Sequence, residues 1–275
     1  MKTSVPLNKN TLNSRTYNRI SQSLNKNTIS QYGKSSAKNS TARQPQRTVQ
    51  NNAQSVPVQN NRQTVNRTNT PANTPSAPPP RKKHPSPAPD TLKIVRGQKI
   101  NVVNKNNMPV TNLRIGAGWD ILDSRCELDI SSFILGENGK ILSDEWFVFY
   151  GQPVSPDGNV KYITAGNSGD DGIIEVNLAR LNPKAQKIVF SVTIYEAFQK
   201  KLNFGMVRNV YTRMTDISSN KEILRFELTD CFPNVTAMVV GELYRYKGSW
   251  KFNAVGSGVN RDLAEFCGMY GVALT

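Results

Sequence analysis

"GELYRYKGSWKFNAVG", residues 241 to 256, is the stretch that decides the fold. Strand-forming residues flank Lys247-Gly248. A glycine-bearing dipeptide between two such runs is the signature of a β-hairpin. Upstream, "KIVFSVTIY" (187–195) is the plainest strand. Ile188, Phe190, Val192 and Ile194 take one face; Val189, Ser191, Thr193 and Tyr195 take the other.

Similar short runs recur on either side, bounded by Gly, Pro, Asn and Asp. "TLKIVRG" (91–97) and "INVV" (100–103) read as an opening pair of strands. "NLRIGAGWD" (112–120), "ELDISSFIL" (127–135), "EWFVFYG" (145–151), "VRNVYTRM" (207–214) and "ILRFELT" (223–229) continue the pattern. Strands at this spacing, with few long helical patterns between them, predict an all-β fold, a two-sheet antiparallel β-sandwich over residues 91–275. Helical turns are expected at "VNLARL" (176–181) and "NRDLAEFCGMYG" (260–271). Asn260 is the expected cap of the second, with Leu263, Phe266 and Cys267 facing inward.

Residues 1–90 differ in kind. They are rich in Asn, Ser, Thr, Gln and Pro, and hold two tyrosines but no Phe or Trp. Such a segment cannot bury enough apolar surface to offset its chain entropy, so a long disordered tail and linker is expected there. Fourteen of the 35 Lys and Arg lie in residues 1–89, which contain no Asp or Glu. The other 21 basic residues nearly balance all 20 acidic ones, so the formal charge of +15 belongs to the tail. A dispersed basic tail is a solubilising tether, or a weak electrostatic contact with nucleic acid or an anionic membrane.

Several classes of chemistry are excluded. The one histidine, His84, sits in the Pro-rich stretch, which leaves no His-based nucleophilic site or His-ligated zinc for the folded part. Cys126, Cys231 and Cys267 form no CxxC, which suggests reduced thiols in a cytosolic protein. No apolar run is long enough to span a membrane, and no secretory h-region is expected. Neither GxGxxG nor GxxxxGK[ST] occurs.

The carboxylates cluster instead. "GWDILDSRCELD" holds Asp120, Asp123, Glu127 and Asp129, and "AGNSGDDGII" (165–174) holds Asp170 and Asp171. Glu127 and Asp129 are two apart and share a strand face. Like charges held together call for a cation, and calcium takes oxygens from irregular loops. The same runs are also what solvated turns look like.

Taken in order, "GAGWD", "ELDISSFIL", "SDEWFVFYGQPVSPDGNV", "KIVFSVTIY", "FGMVRN", "ILRFELT" and "TAMVVGELYRYKGSWKFNAVGSG" resemble the TerD family of tellurium-resistance and general stress proteins. The resemblance covers residues 91–275. It implies a cytosolic, non-enzymatic β-sandwich that binds calcium through acidic loops at one end. The family's Gly-Trp-Asp matches as Gly118-Trp119-Asp120. Its D-L-D triplet matches as Glu127-Leu128-Asp129, with Glu for the first Asp. Its long D-N-x-T-G-x-G-D-G-D-D-E loop is cut to "GNSGDDG", and the usual histidine before it is absent. The implied calcium ligands are Asp120, Glu127, Asp129, Asn167, Asp170 and Asp171, with one site weakened or lost. The expected role is a stress-response binding module. Alternatives are a scaffold recruited through the basic tail to bind an unknown protein partner, cyclic-nucleotide binding as reported for some members, and a carboxylate hydrolase.

Overall fold

The computed structural model describes residues 84–166, 168–228 and 232–272. The predicted disordered tail lies, but for its last residues, outside the described residues, as do Asn167 and Cys231. Among the described residues thirteen strands form two sheets. In chain order they are β1 (Leu92–Ile94), β2 (Lys99–Asn101), β3 (Asn112–Ile121), β4 (Leu128–Leu135), β5 (Phe147–Val148), β6 (Val160–Ile163) and β7 (Gly172–Asn177). β8 (Lys187–Ile194), β9 (Val207–Asp216), β10 (Lys221–Leu228), β11 (Ala237–Tyr246), β12 (Ser249–Asn253) and β13 (Ser257–Val259) complete the set. The short helices α1 (Ala197–Lys200) and α2 (Leu263–Met269) flank them.

The first sheet runs β1-β10-β9-β3-β7-β6; the second runs β2-β12-β11-β8-β4-β5, with β13 on β11. Every pairing is antiparallel except β1 with β10. The two-sheet sandwich expected from the sequence is therefore present. The β11–β12 hairpin pairs Tyr246 with Ser249, leaving Lys247 and Gly248 as a two-residue turn with φ of 49° and 77°. Two positive φ values give the turn whose twist matches its strands.

Three local readings are corrected. β1 and β2 do not pair with each other: one joins β10 and the other β12, so the chain enters both sheets before β3 begins. Residues 176–181 form no helix, because Val176 and Asn177 are held in the ladder between β3 and β6. The α2 cap is Asp262, not Asn260; its carboxylate accepts from the Glu265 amide at 2.8 Å while Glu265 reaches back. That reciprocal pair satisfies two amide donors that a lone cap at Asn260 could not reach.

Both faces of the second sheet are covered, so β8 is buried along nearly its whole length. Ile130 packs inward against Gly172 of the opposite sheet. On the outer face, Phe133 stacks on Phe147 at 4.5 Å and meets Phe266 of α2 edge-on at 5.5 Å. Such aromatic pairs contribute about 1 kcal/mol beyond their buried area. Ser131 and Ser191 on that face satisfy each other through a 2.8 Å hydrogen bond.

Candidate functional site

The "GAGWD" run explains itself on the outer face of the first sheet. Gly116, Gly118 and Asp120 alternate along β3 and project to one side. A Cβ on Gly116 would stand 2.4 Å from Asp170 Oδ2, and one on Gly118 would strike the Tyr211 ring. Gly116 clears the space for the Asp170 carboxylate, and Gly118 the space for the Tyr211 ring.

Asp170 is fully buried there and completely engaged. Arg213 on β9 grips both of its oxygens, Nε to Oδ1 and a terminal nitrogen to Oδ2, each at 2.8 Å. The Tyr211 hydroxyl donates to Oδ1 at 2.8 Å. Arg213 also donates to Glu222 at 3.1 Å, and Glu222 accepts from Arg225 at 2.9 Å. Arg225 lies over the Tyr211 ring at 4.4 Å. Two carboxylates and two guanidiniums thus alternate from Asp170 across β9 to β10. Burial alone would depress the Arg213 pKa, but Asp170 and Glu222 outweigh it and the net direction is upward. Burial, then the Asp170 charge, pushes the Tyr211 phenol up, so it stays a donor.

The linker end closes over this network. His84 Nε2 lies 3.0 Å from Asp120 Oδ1, and Nδ1 lies 3.2 Å from the Gly169 carbonyl oxygen. The ring thus bridges the Asp120 carboxylate and the backbone of the acidic loop. Arg225 donates to the Pro85 carbonyl at 2.8 Å, and Pro85 packs on Gly169. Sequence reasoning left His84 in a linker, outside the folded part; the structure sets it against the acidic loop. Asp120 is further held by Asn209, whose amide donates at 2.6 Å. Asn209 has φ of 53° at a bulge where β9 slips against β3, and this aims its side chain at Asp120.

The structure brings three of the predicted ligands together and separates two. Asp120, Asp170 and Asp171 share the outer face of the first sheet. Asp171 Oδ2 accepts the Trp119 amide at 2.8 Å, and its own amide donates to the Ala117 carbonyl. Glu127 and Asp129 belong to the second sheet. Glu127 is largely exposed and pairs with Lys200 at 3.6 Å. Since Ile130 packs inward, its neighbour Asp129 faces the outer side of the second sheet. Asn167 lies outside the described residues. Calcium requires about six to eight oxygens. As arranged, the acidic loop does not fit it: Asp170 is consumed by Arg213 and Tyr211, Asp120 by His84 and Asn209. Among the described residues no group of three or more His, Cys, Asp or Glu converges as a metal site.

Sequence reasoning missed His84, Asn209, Tyr211, Arg213, Glu222 and Arg225. Tyr211 and Arg213 carried a signal: they alternate on a strand opposite Gly116 and Gly118, and small residues facing large polar ones mark a close approach.

A second feature occupies the outer face of the second sheet. A cavity of about 200 Å³ lies between β4, β8, α1 and the start of α2, and Asp129 lines it. Burial, then the nearby Glu127, raises the Asp129 carboxyl to about 6. Among the described residues no hydrogen bond or ion pair reaches it.

Known proteins resemble this chain in sequence. The chain is 35% identical over 190 residues to General stress protein 16U of Bacillus subtilis (strain 168), covering 66% of this chain and 98% of that protein. It is 37% identical over 189 residues to Tellurium resistance protein TerD of Serratia marcescens, again covering 66% and 98%. Among solved structures, a homologue of the telluride resistance protein from Streptomyces coelicolor A3(2) aligns at 22% identity with a TM-score of 0.45, covering 57% of this chain and 95% of that one. The TerD domain model matches residues 91–270, and the chain belongs to the TerD domain family.

Proposed function

We propose that this protein is a non-enzymatic binding module of the stress-response and tellurium-resistance kind. In this reading it works in the cytoplasm, and its acidic loop is neutralised from within the chain, with calcium affinity reduced relative to an all-carboxylate loop. The observation that carries this is the bidentate grip of Arg213 on Asp170 at 2.8 Å. A guanidinium in contact with both oxygens supplies the positive charge that a metal would otherwise bring, and both oxygens of Asp170 already accept from donors of this chain. Support for the stress role comes from the names of the two relatives above.

Thermal melting of the full chain with and without calcium tests the reading. Binding to the folded state alone stabilises by RT ln(1 + [L]/Kd), so a site with Kd above ~10 mM adds less than ~0.1 kcal/mol at ~1 mM calcium. No change in melting temperature is expected at ~1 mM calcium or with chelator. A rise of several degrees would overturn it.

The fourteen basic residues in 1–89, without one acid, favour a second reading for that segment: recruitment to nucleic acid or anionic membrane. Such binding would weaken steeply with salt. Liposome and DNA sedimentation at two salt concentrations checks it.

A further inference from the structure

The cavity on the outer face of the second sheet is separate from the Asp170 loop and differs from it chemically. Three of its lining residues are carboxylates, Asp129, Glu196 and Asp262, and none is Lys or Arg. Two of the three are occupied. Glu196 accepts the Tyr195 hydroxyl at 3.0 Å and lies 3.8 Å from Lys200. Asp262 caps α2. Asp129 alone has neither donor nor cation from the described residues. A recessed carboxylate without a partner is costly, and a ligand bearing N–H donors and positive charge would remove that cost.

The walls narrow the ligand further. Tyr150 stands edge-on to Phe149 at 5.3 Å, and Phe149 stacks on Phe147 at 4.8 Å. A cavity lined by both aromatic rings and carboxylates suits an organic cation, since the ring face attracts positive charge. The rim already uses this chemistry: Lys200 Nζ sits over the Tyr195 ring at 4.8 Å. A hard metal ion would find one uncommitted carboxylate and aromatic carbon where it needs about six oxygens. A cyclic nucleotide would bring its phosphate against three carboxylates. A cavity of about 200 Å³ has room for roughly seven waters at ~30 Å³ each, the scale of one small amine.

We infer that this cavity binds a small organic ammonium ion carrying an apolar or aromatic body, with Asp129 as its counter-charge and Tyr150 as an aromatic wall. The site is independent of the calcium reading and of the Arg213 network.

Titration calorimetry on the full chain, with phenethylammonium as the probe at constant ionic strength, tests it. Saturable one-to-one binding is expected. Asp129→Asn keeps the shape and removes the charge, and should weaken binding about tenfold or more. Tyr150→Ala, at a half-exposed ring, should weaken it several-fold. Glu137→Gln, at an exposed turn away from the cavity, should leave amine binding unchanged. The anionic counterpart 3-phenylpropionate should not bind. The proposal is overturned if phenethylammonium shows no saturable binding up to ~10 mM. It is equally overturned if folded Asp129→Asn binds as well as the parent, if phenylpropionate binds comparably, or if micromolar calcium displaces the amine.

Discussion

The two outer faces of this sandwich treat buried carboxylates in opposite ways. On the first sheet, Asp170 is fully buried and every oxygen meets a donor from Arg213 or Tyr211. On the second, Asp129 is recessed and meets none among the described residues. The difference lies in the neighbouring strand. Opposite Gly116 and Gly118, β9 presents Arg213 and Tyr211; opposite Asp129, β8 presents Thr193. A charge held by a guanidinium rigidifies the loop it sits on. A charge left without one raises its own pKa and keeps the capacity to take a ligand. The acidity of a loop therefore says little about binding until its counter-charges are located.

The largest expected effect breaks the first face. Arg213→Gln leaves Asp170 and Glu222 buried without their shared cation, and should cost about 3–5 kcal/mol in urea denaturation. An unchanged midpoint would mean the network does not hold this face. Next is the space beneath the loop. Gly116→Ala places a methyl 2.4 Å from the Asp170 carboxylate and should cost about 1–3 kcal/mol, read as a lower melting temperature.

The second face should respond with the opposite sign. Burial, then the Glu127 charge, holds the Asp129 carboxyl at about 6, above its ordinary 3.8. The folded state therefore holds more protons than the unfolded state between those values, and stability falls as pH rises through that window. Above about 6 the full penalty applies; below about 4 it is gone. Asp129→Asn should stabilise by about 2 kcal/mol at pH ~7.5, allowing for partial exposure, and the gain should vanish by pH ~4. Melting curves of both proteins across that range sharpen the contrast; a gain that persists at low pH would remove it. The smallest effect is at the edge of the first face. His84→Ala removes the bond to Asp120 and should cost about 1 kcal/mol, with the 165–171 loop exchanging its amide hydrogens faster.

The calcium reading marks where sequence pattern and structure part. "GNSGDDG" looks like the shortened remnant of an acidic ligand loop, and that much is legible. What cannot be read from it is that Arg213, more than forty positions on, points at the same place. Asp120, Asp170 and Asp171 come together, yet Glu127 and Asp129 face elsewhere because inward-facing Ile130 sends its neighbour outward. The capping box at Asp262 was within reach, since its Glu265 partner stands three residues on; Asn260 was the weaker choice for lack of one.

The sequence by itself determined the sandwich, the Lys247-Gly248 hairpin, the family and the lopsided charge. Each follows from short-range pattern: side-chain alternation, turn chemistry and composition act over a few neighbouring residues. The tertiary structure decided which carboxylates keep a free hand. Desolvation and counter-charge depend on what the opposite strand, the far loop and the linker bring within 3 Å. His84 shows this most simply, since a residue that composition assigns to a solvated spacer is placed by folding at 3.0 Å from Asp120.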